Sequence, residues 1–193
     1  DGPRVLWRLP LSEGYSSAVV RDGEVFVLDR IQERTGVLRV LDLETGEQKW
    51  TFEYDEPGRM RYRGARNVPA VDETGVFFVG PFGDFICVDR TTRQARWRWN
   101  FLTDFDAAMP MWQIAQSPLL CGDWVVVCPQ GAKAGVAAFD KRTGDAVWKT
   151  RPLAGKAGYV SPQAATLAGV DQILAISASG RGDDPTRGET VGI

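Results

Sequence analysis

The sequence contains no histidine at all. That absence removes several reaction types together: no Ser-His-Asp triad, no Cys-His pair and no histidine-ligated zinc site is available. Any chemistry has to come from carboxylates, Arg, Lys, Tyr or a bound cofactor. Cysteine is scarce, with Cys87, Cys121 and Cys128 the whole supply, and all three lie in apolar, strand-like runs. If Cys121-Gly122-Asp123-Trp124 closes a hairpin, Cys121 faces Trp124 while Cys128 pairs further back near Ser117. A disulfide between them is then not expected, and buried free thiols are. Neither sign of charge dominates: 23 basic side chains stand against 25 acidic ones, and a net charge of −2 predicts no general nucleic-acid affinity. No apolar run approaches the roughly 20 residues that a membrane-spanning helix requires. No signal-peptide pattern is present either, which fits a mature or trimmed chain.

What the sequence does hold is glycine and proline, 21 and 11 of them in 193 residues of high apolar content, the mark of short strands joined by tight turns. It also repeats itself. Asp42-Leu43-Glu44-Thr45-Gly46-Glu47-Gln48-Lys49-Trp50 returns as Asp89 to Trp97 and again as Asp140 to Trp148, with Thr143 and Gly144 in the last copy. Each copy places Thr three positions and Trp eight positions after the Asp. Val5-Leu6-Trp7 reads as the tail of a further copy. The tryptophans fall at 7, 50, 97 and 148, so 43, 47 and 51 residues apart, the period of a propeller blade. In each copy the Asp carboxylate is suited to accept from amides two residues on, and the Gly to take the positive φ of a tight turn. Arg93 stands where Gly46 and Gly144 stand, so the second turn is expected to be either of another type or strained. The Trp is expected on an outer strand, packed between neighbouring blades.

The apolar runs between these marks read as four-stranded antiparallel meanders. Asp1 to Leu11 reads as one strand, and Asp22-Gly23 as a two-residue hairpin turn. The fold expected is an all-β propeller of about four blades in this chain: 12–52, 67–101, 115–150 and 159–193. Pro69, Pro118 and Pro162 fall in the first strand of the second, third and fourth blades, which places those strands innermost, where one side is unpaired. The fourth blade lacks its Thr-Gly turn and its Trp strand, so its outer strand is either missing or supplied by residues 4–9. Three closures follow: a portion of a longer propeller, which leads; a ring of two chains; and a closed four-bladed ring.

The Asp-x-x-Thr-Gly-x-x-x-Trp repeat resembles the PQQ-like propeller repeat of quinoprotein alcohol dehydrogenases and of BamB-like outer-membrane assembly scaffolds. Gly14-Tyr15-Ser16-Ser17, Gly64 to Pro69 and Met109-Pro110-Met111-Trp112 are similar to stretches of secreted or periplasmic bacterial proteins carrying the same repeat. The resemblance spans essentially the whole chain. It implies a periplasmic or secreted protein of bacterial type, and either a binding scaffold or a quinone-dependent dehydrogenase. Dehydrogenases of this family are expected to carry adjacent cysteines and calcium ligands beside a catalytic aspartate. This sequence has no Cys-Cys pair, and Asp104 and Asp106 align with no such motif. The resemblance is therefore read as a non-catalytic binding or assembly scaffold without a cofactor. The alternatives are a PQQ- and calcium-dependent alcohol or sugar dehydrogenase and a carbohydrate-binding propeller.

Long loops on one face of a rigid ring are where binding residues are expected. The basic run Arg59 to Asn67 offers planar donor forks for a carboxylate, phosphate or sulfate, with Arg66 the best single residue. The 101–113 link holds Asp104 and Asp106, weak candidates for a metal, and Trp112, suited either to stack on a ring or to plug the channel. The candidate lining residues of the ligand face are Tyr15, Arg61, Arg63, Arg66, Asn67, Trp112, Gln113 and Tyr159. The partners expected are a protein or a small polar or anionic ligand on that face, no nucleic acid, and a ring-completing homodimer. Arg181-Gly182-Asp183 in the 177–188 loop is assigned no role.

Overall fold

In the computed structural model, which describes residues 2–179 and 187–193, the strands form four antiparallel sheets in chain order. The first sheet is β1 (Val19–Arg21), β2 (Glu24–Ile31), β3 (Thr35–Asp42) and β4 (Gln48–Asp55). The second is β5 (Ala70–Val71), β6 (Gly75–Val79), β7 (Asp84–Asp89) and β8 (Ala95–Asn100), followed by a single helical turn α1 (Phe101–Asp104). The third is β9 (Leu119–Cys121), β10 (Trp124–Val127), β11 (Ala137–Asp140) and β12 (Ala146–Lys149). The fourth has three strands among the described residues, β13 (Gln163–Leu167), β14 (Val170–Ile176) and β15 (Thr190–Gly192). Each sheet is an up-and-down meander, and the chain is a propeller of four blades, all β apart from α1 among the described residues.

The sheets stack through strands that are apolar on both faces. In β6 and β7, Val76, Phe78, Ile86 and Val88 join Phe26, Leu38, Val40 and Trp50 between the first two sheets. Their neighbours Phe77, Val79, Phe85 and Cys87 point the other way, to Val125, Val127, Ala137 and Phe139 of the third sheet. Alternate residues of a strand face opposite sides, so one pentapeptide of apolar residues serves two interfaces. Val126, Val136 and Ala138 likewise meet Ile173 and Ala175 of the fourth sheet. Burying each such side chain contributes on the order of 1.5–3 kcal/mol.

The repeated motif is a turn on one sheet and a lock between two. Asp42 Oδ1 accepts from the N–H groups of Glu44 and Thr45, Asp89 Oδ1 from Thr91 and Thr92, and Asp140 Oδ1 from Arg142 and Thr143. These bonds hold all three carboxyls below the usual carboxylate range; for Asp89, at about 2, the Arg96 guanidinium is the leading cause. Gly46 and Gly144 take φ of +73° and +77°, and Arg93 takes +61°. The second turn is thus the same turn with a side chain forced into the left-handed region. Trp97 then reaches across: its Nε1 donates to Lys141 O at 3.0 Å, and its ring lies where a Cβ on Gly144 would be, 2.4 Å away. Trp7 does the same at the first sheet, donating to Leu43 O at 2.8 Å and covering Gly46. Leu43 and Lys141 both follow the Asp of their turn.

Two expectations need correction. Residues 2–18 form no ladder, although Asp1 to Leu11 read as one strand. Extended side-chain alternation cannot by itself supply the neighbouring strand that a ladder needs, and here Trp7 is held by the turn of the first sheet instead. The link after Trp97 also contains α1, capped by the Asn100 side chain accepting from Leu102 and Thr103 N–H. The prolines fall as their missing donors require: Pro69, Pro118 and Pro162 immediately precede β5, β9 and β13, each at one edge of its sheet. These edges are stitched to one another: Ser16 Oγ donates to Asn67 O (2.6 Å), Val68 N to Ser117 Oγ (2.9 Å), and Ser117 N to Ser161 Oγ (2.8 Å). Trp124 pairs with Cys121, and all three cysteines are free. Burial pushes the Cys87 and Cys128 thiols up to about 12, which keeps them unreactive.

Candidate functional site

The inner edges bring the connecting loops together, and two groups of aromatic side chains result. Tyr15, on the segment entering β1, is anchored by its N–H donating to Ala65 O at 2.7 Å. Its ring meets that of Tyr62 edge to face, 6.2 Å between centroids. Arg66 lies 5.7 Å from the Tyr15 centroid and donates through Nη2 to Tyr62 O, while Arg61 lies 5.8 Å from the Tyr62 ring. Burial depresses the Arg66 pKa below the usual arginine range, and the Tyr15 and Tyr159 hydroxyls push it back. The Arg66 Nε is buried without a hydrogen-bond partner.

The second group is Trp112 and Tyr159, from links 47 residues apart, with ring centroids 5.5 Å apart and the Tyr159 hydroxyl accepting from Trp112 N–H at 3.1 Å. They border a cavity of about 670 Å³ between the third and fourth sheets. Met109, Met111, Val160 and Ile176 give it apolar walls, and Gln130 and Lys156 add polar groups. Gln130 is fixed by Nε2 donating to Ile176 O and Oε1 accepting from Gly158 N–H. Met111 is 73% exposed at its rim, an open apolar surface of the adaptable kind that methionine provides.

Other candidates are placed elsewhere. Asn67 is 1% exposed; its Nδ2 donates to Val79 O, extending the pairing of the second sheet past Pro69. Gln116 does the same one sheet on, bonding both Cys128 N and Cys128 O. Arg63 pairs with Glu33 at 3.1 Å, and Arg59 approaches the same carboxylate at 3.6 Å. Gln113 holds a turn at φ +60° with its N–H on Pro110 O. Asp104 accepts from Asn100 N–H, and Asp106 pairs with Lys133 at 3.3 Å. The two carboxylates thus serve different partners and do not fit a calcium pair. Among the described residues no group of three or more His, Cys, Asp or Glu converges. Arg181-Gly182-Asp183 lies outside the described residues.

The sequence reading missed Tyr62 as a member of the first group and Met109, Met111, Val160 and Ile176 as cavity walls. A signal for part of this was present: Met109-Pro110-Met111-Trp112 puts three large apolar side chains on one loop, and exposed apolar loops mark binding surfaces.

A family model described as "Outer membrane protein assembly factor BamB" matches residues 2–74 and 34–189. A search of curated protein sequences returns no match. Among solved structures, BamB from Moraxella catarrhalis superposes with a TM-score of 0.58 at 16% identity, over 96% of this chain and 51% of its own. A europium-containing methanol dehydrogenase gives 0.54 at 20% identity, over 75% of this chain and 26% of that one. The computationally designed Ika4 protein gives 0.55 at 10% identity, over 98% and 96%. These likenesses are of fold, and the chain spans about half the length of BamB. No helix among the described residues is long and apolar enough to cross a membrane. By the family match, the chain belongs to the BamB-like family of PQQ-like repeat propellers.

Proposed function

We propose that this propeller is a non-catalytic binding and assembly scaffold acting in the periplasm or outside the cell, and that its loop face takes a protein partner. The observation that carries this reading is the apolar cavity beside Trp112 and Tyr159, together with Arg66 held against the Tyr15 ring. That arrangement fits an extended peptide with an apolar side chain for the cavity and a carboxylate for the guanidinium. A small anionic ligand at Arg66 alone is the lesser form of the same reading. Membership of a family described as an assembly factor supports it. The reading carries no quinone and no calcium, in keeping with the separate engagements of Asp104 and Asp106.

Selection from a displayed peptide library tests it. Enriched peptides should combine an apolar anchor with nearby acidic residues, and Met111→Asp and Arg66→Ala should each abolish the enrichment. Enrichment that both variants retain, or none at all, overturns the site. The competing dehydrogenase reading is tested by adding pyrroloquinoline quinone and calcium and following absorbance and dye reduction. Stoichiometric binding with turnover would replace the scaffold reading. A glycan array tests carbohydrate binding in the same way. A ring-completing homodimer involves a different surface.

A further inference from the structure

We infer that Met111, with Met109 beside it, is a methionine-sulfoxide site, and that adding oxygen to these sulfurs closes the cavity to an apolar side chain. The inference rests on the loop-face reading for what the cavity receives, and on geometry alone for the chemistry.

The backbone fixes where these sulfurs stand. Gln113 N–H donates to Pro110 O at 2.9 Å, so Met111 and Trp112 are the two central residues of a tight turn. Trp112 N–H, donating to the Tyr159 hydroxyl at 3.1 Å, holds that turn against the loop entering the fourth sheet. Met111 is 73% exposed at the tip and Met109 38%. Met60, the third and last methionine, is 6% exposed. Thioether oxidation follows access, so one chain carries two open sulfurs and a shielded one. The cysteines do not compete at this wall: Cys87 and Cys128 are buried, and half-buried Cys121 is on β9, outside the cavity lining.

A two-electron oxidant such as hydrogen peroxide supplies the oxygen. The sulfur lone pair attacks one peroxide oxygen, the O–O bond breaks and an S–O bond forms. The departing hydroxide takes the proton of the transferred hydroxyl and leaves as water. Sulfur is oxidised by two electrons and the peroxide is reduced by two. The product exchanges an apolar, adaptable side chain for a polar, chiral one, a change that methionine sulfoxide reductases can reverse. The other apolar walls, Val160 and Ile176, have no side-chain donor for the new oxygen, and the Gln130 amide is already bonded at both ends. An apolar anchor entering the cavity would strip water from the sulfoxide and return no hydrogen bond, so the oxidised cavity rejects it.

The chemistry is tested on the full chain, isotope-labelled at its methionine methyl groups, with the signals assigned by Met109→Leu and Met111→Leu. Under graded hydrogen peroxide the Met111 signal should be lost first, and the Met60 signal should outlast both others. These signals report methionine alone, so Cys121 does not enter. Loss of Met60 together with Met111, or a Met111 signal that survives, overturns the site. The cavity is read separately with an apolar fluorescent dye, taking as its signal the part that Met111→Asp abolishes. Oxidised wild type should lose that part, whereas the Met109→Leu, Met111→Leu double variant, whatever its own signal, should be unchanged by the oxidant. Closure is overturned if Met111→Asp does not lower the dye signal, if wild type keeps it after full oxidation of Met111, or if the double variant loses it too. Failure of the peptide selection with both results intact strikes the loop-face reading and leaves the oxidation site standing.

Discussion

Two of the three contacts between neighbouring sheets are held by different chemistry. Between the second and third sheets the contact is aromatic: Phe139 lies within 6.4 Å of Phe85, Trp97, Trp99 and Phe105, centroid to centroid. Two indole N–H groups close it, Trp97 on Lys141 O and Trp99 on Gly144 O. Between the first and second sheets Trp50 is buried, yet among the described residues its N–H finds no such carbonyl. Arg90 does the joining there, donating to Asp22 Oδ2 (2.9 Å), Glu24 Oε2 (3.0 Å) and Asp72 O (2.7 Å) and lying 5.3 Å from the Phe26 ring centroid. At the loop end of the same contact Arg30 and Glu56 form an ion pair with both side chains 1% exposed. The difference follows from one residue: the contact with the indole lock has Gly144 at its turn, and the contact without it has Arg93.

The largest loss comes from the aromatic side. Phe139→Ala or Trp97→Ala should cost about 3–5 kcal/mol, a large cavity in a close-packed contact. A urea melt followed by circular dichroism measures it, and the loss should be independent of salt.

Glu56→Ala should come close, at roughly 3–5 kcal/mol, because it strands the Arg30 guanidinium in the interior. Arg30 also donates to the carbonyls of Glu33, Glu56 and Gly58, so the partner it loses is one of four. Burial raises the Glu56 pKa to about 7, with Tyr54 and Arg30 pulling it back. A carboxyl whose folded pKa is raised binds its proton more tightly folded than unfolded. Stability from this group is present below its unfolded value near 4.5 and is lost as pH rises through about 7. Wild type should therefore lose stability between pH 5 and pH 8 relative to Glu56→Gln, whose profile stays flat there. Equal profiles would mean that Glu56 is ionised throughout.

Arg90→Met keeps an apolar stem over Phe26 and removes the charge-assisted bonds. It should cost about 1–2 kcal/mol at low salt and much less at ~1 M salt, where the Debye length falls to about 3 Å. A salt-independent loss would assign Arg90 a packing role and blur the contrast with the Trp97 contact.

Much of the scaffold was legible because it is local. Asp, Thr, Gly and Trp at fixed spacing encode a turn whose hydrogen bonds span two or three residues, and a proline announces its missing donor. The Cys121–Trp124 pairing followed from a two-residue turn. What stayed hidden depends on partners far away in sequence. Asn67 read as a ligand-face residue because nothing nearby shows that its amide reaches Val79. Arg90 gave no signal, since its carboxylates lie 66 and 68 residues back. Trp112 was visible as an exposed indole, but its pairing with Tyr159, and with it the cavity, exists only once the third and fourth sheets are side by side.

The smallest effect is the sharpest test of the contrast. Arg93 N–H donates to Asp89 O at 2.8 Å, as Gly46 and Gly144 donate to Asp42 and Asp140 at 2.9 Å, so the turn keeps its shape at the cost of a left-handed arginine. A non-glycine residue pays on the order of 1 kcal/mol for that conformation. Arg93→Gly should raise stability by up to ~1 kcal/mol and uncover the surface on which Trp50 would dock as Trp97 does on Gly144. If the indole then takes the Arg90 carbonyl, the Arg90→Met penalty should shrink in the Arg93→Gly background, a coupling that a double-mutant cycle reads directly. Strict additivity would mean that glycine relieves strain and nothing more, and that the ionic clamp is independent of the missing lock.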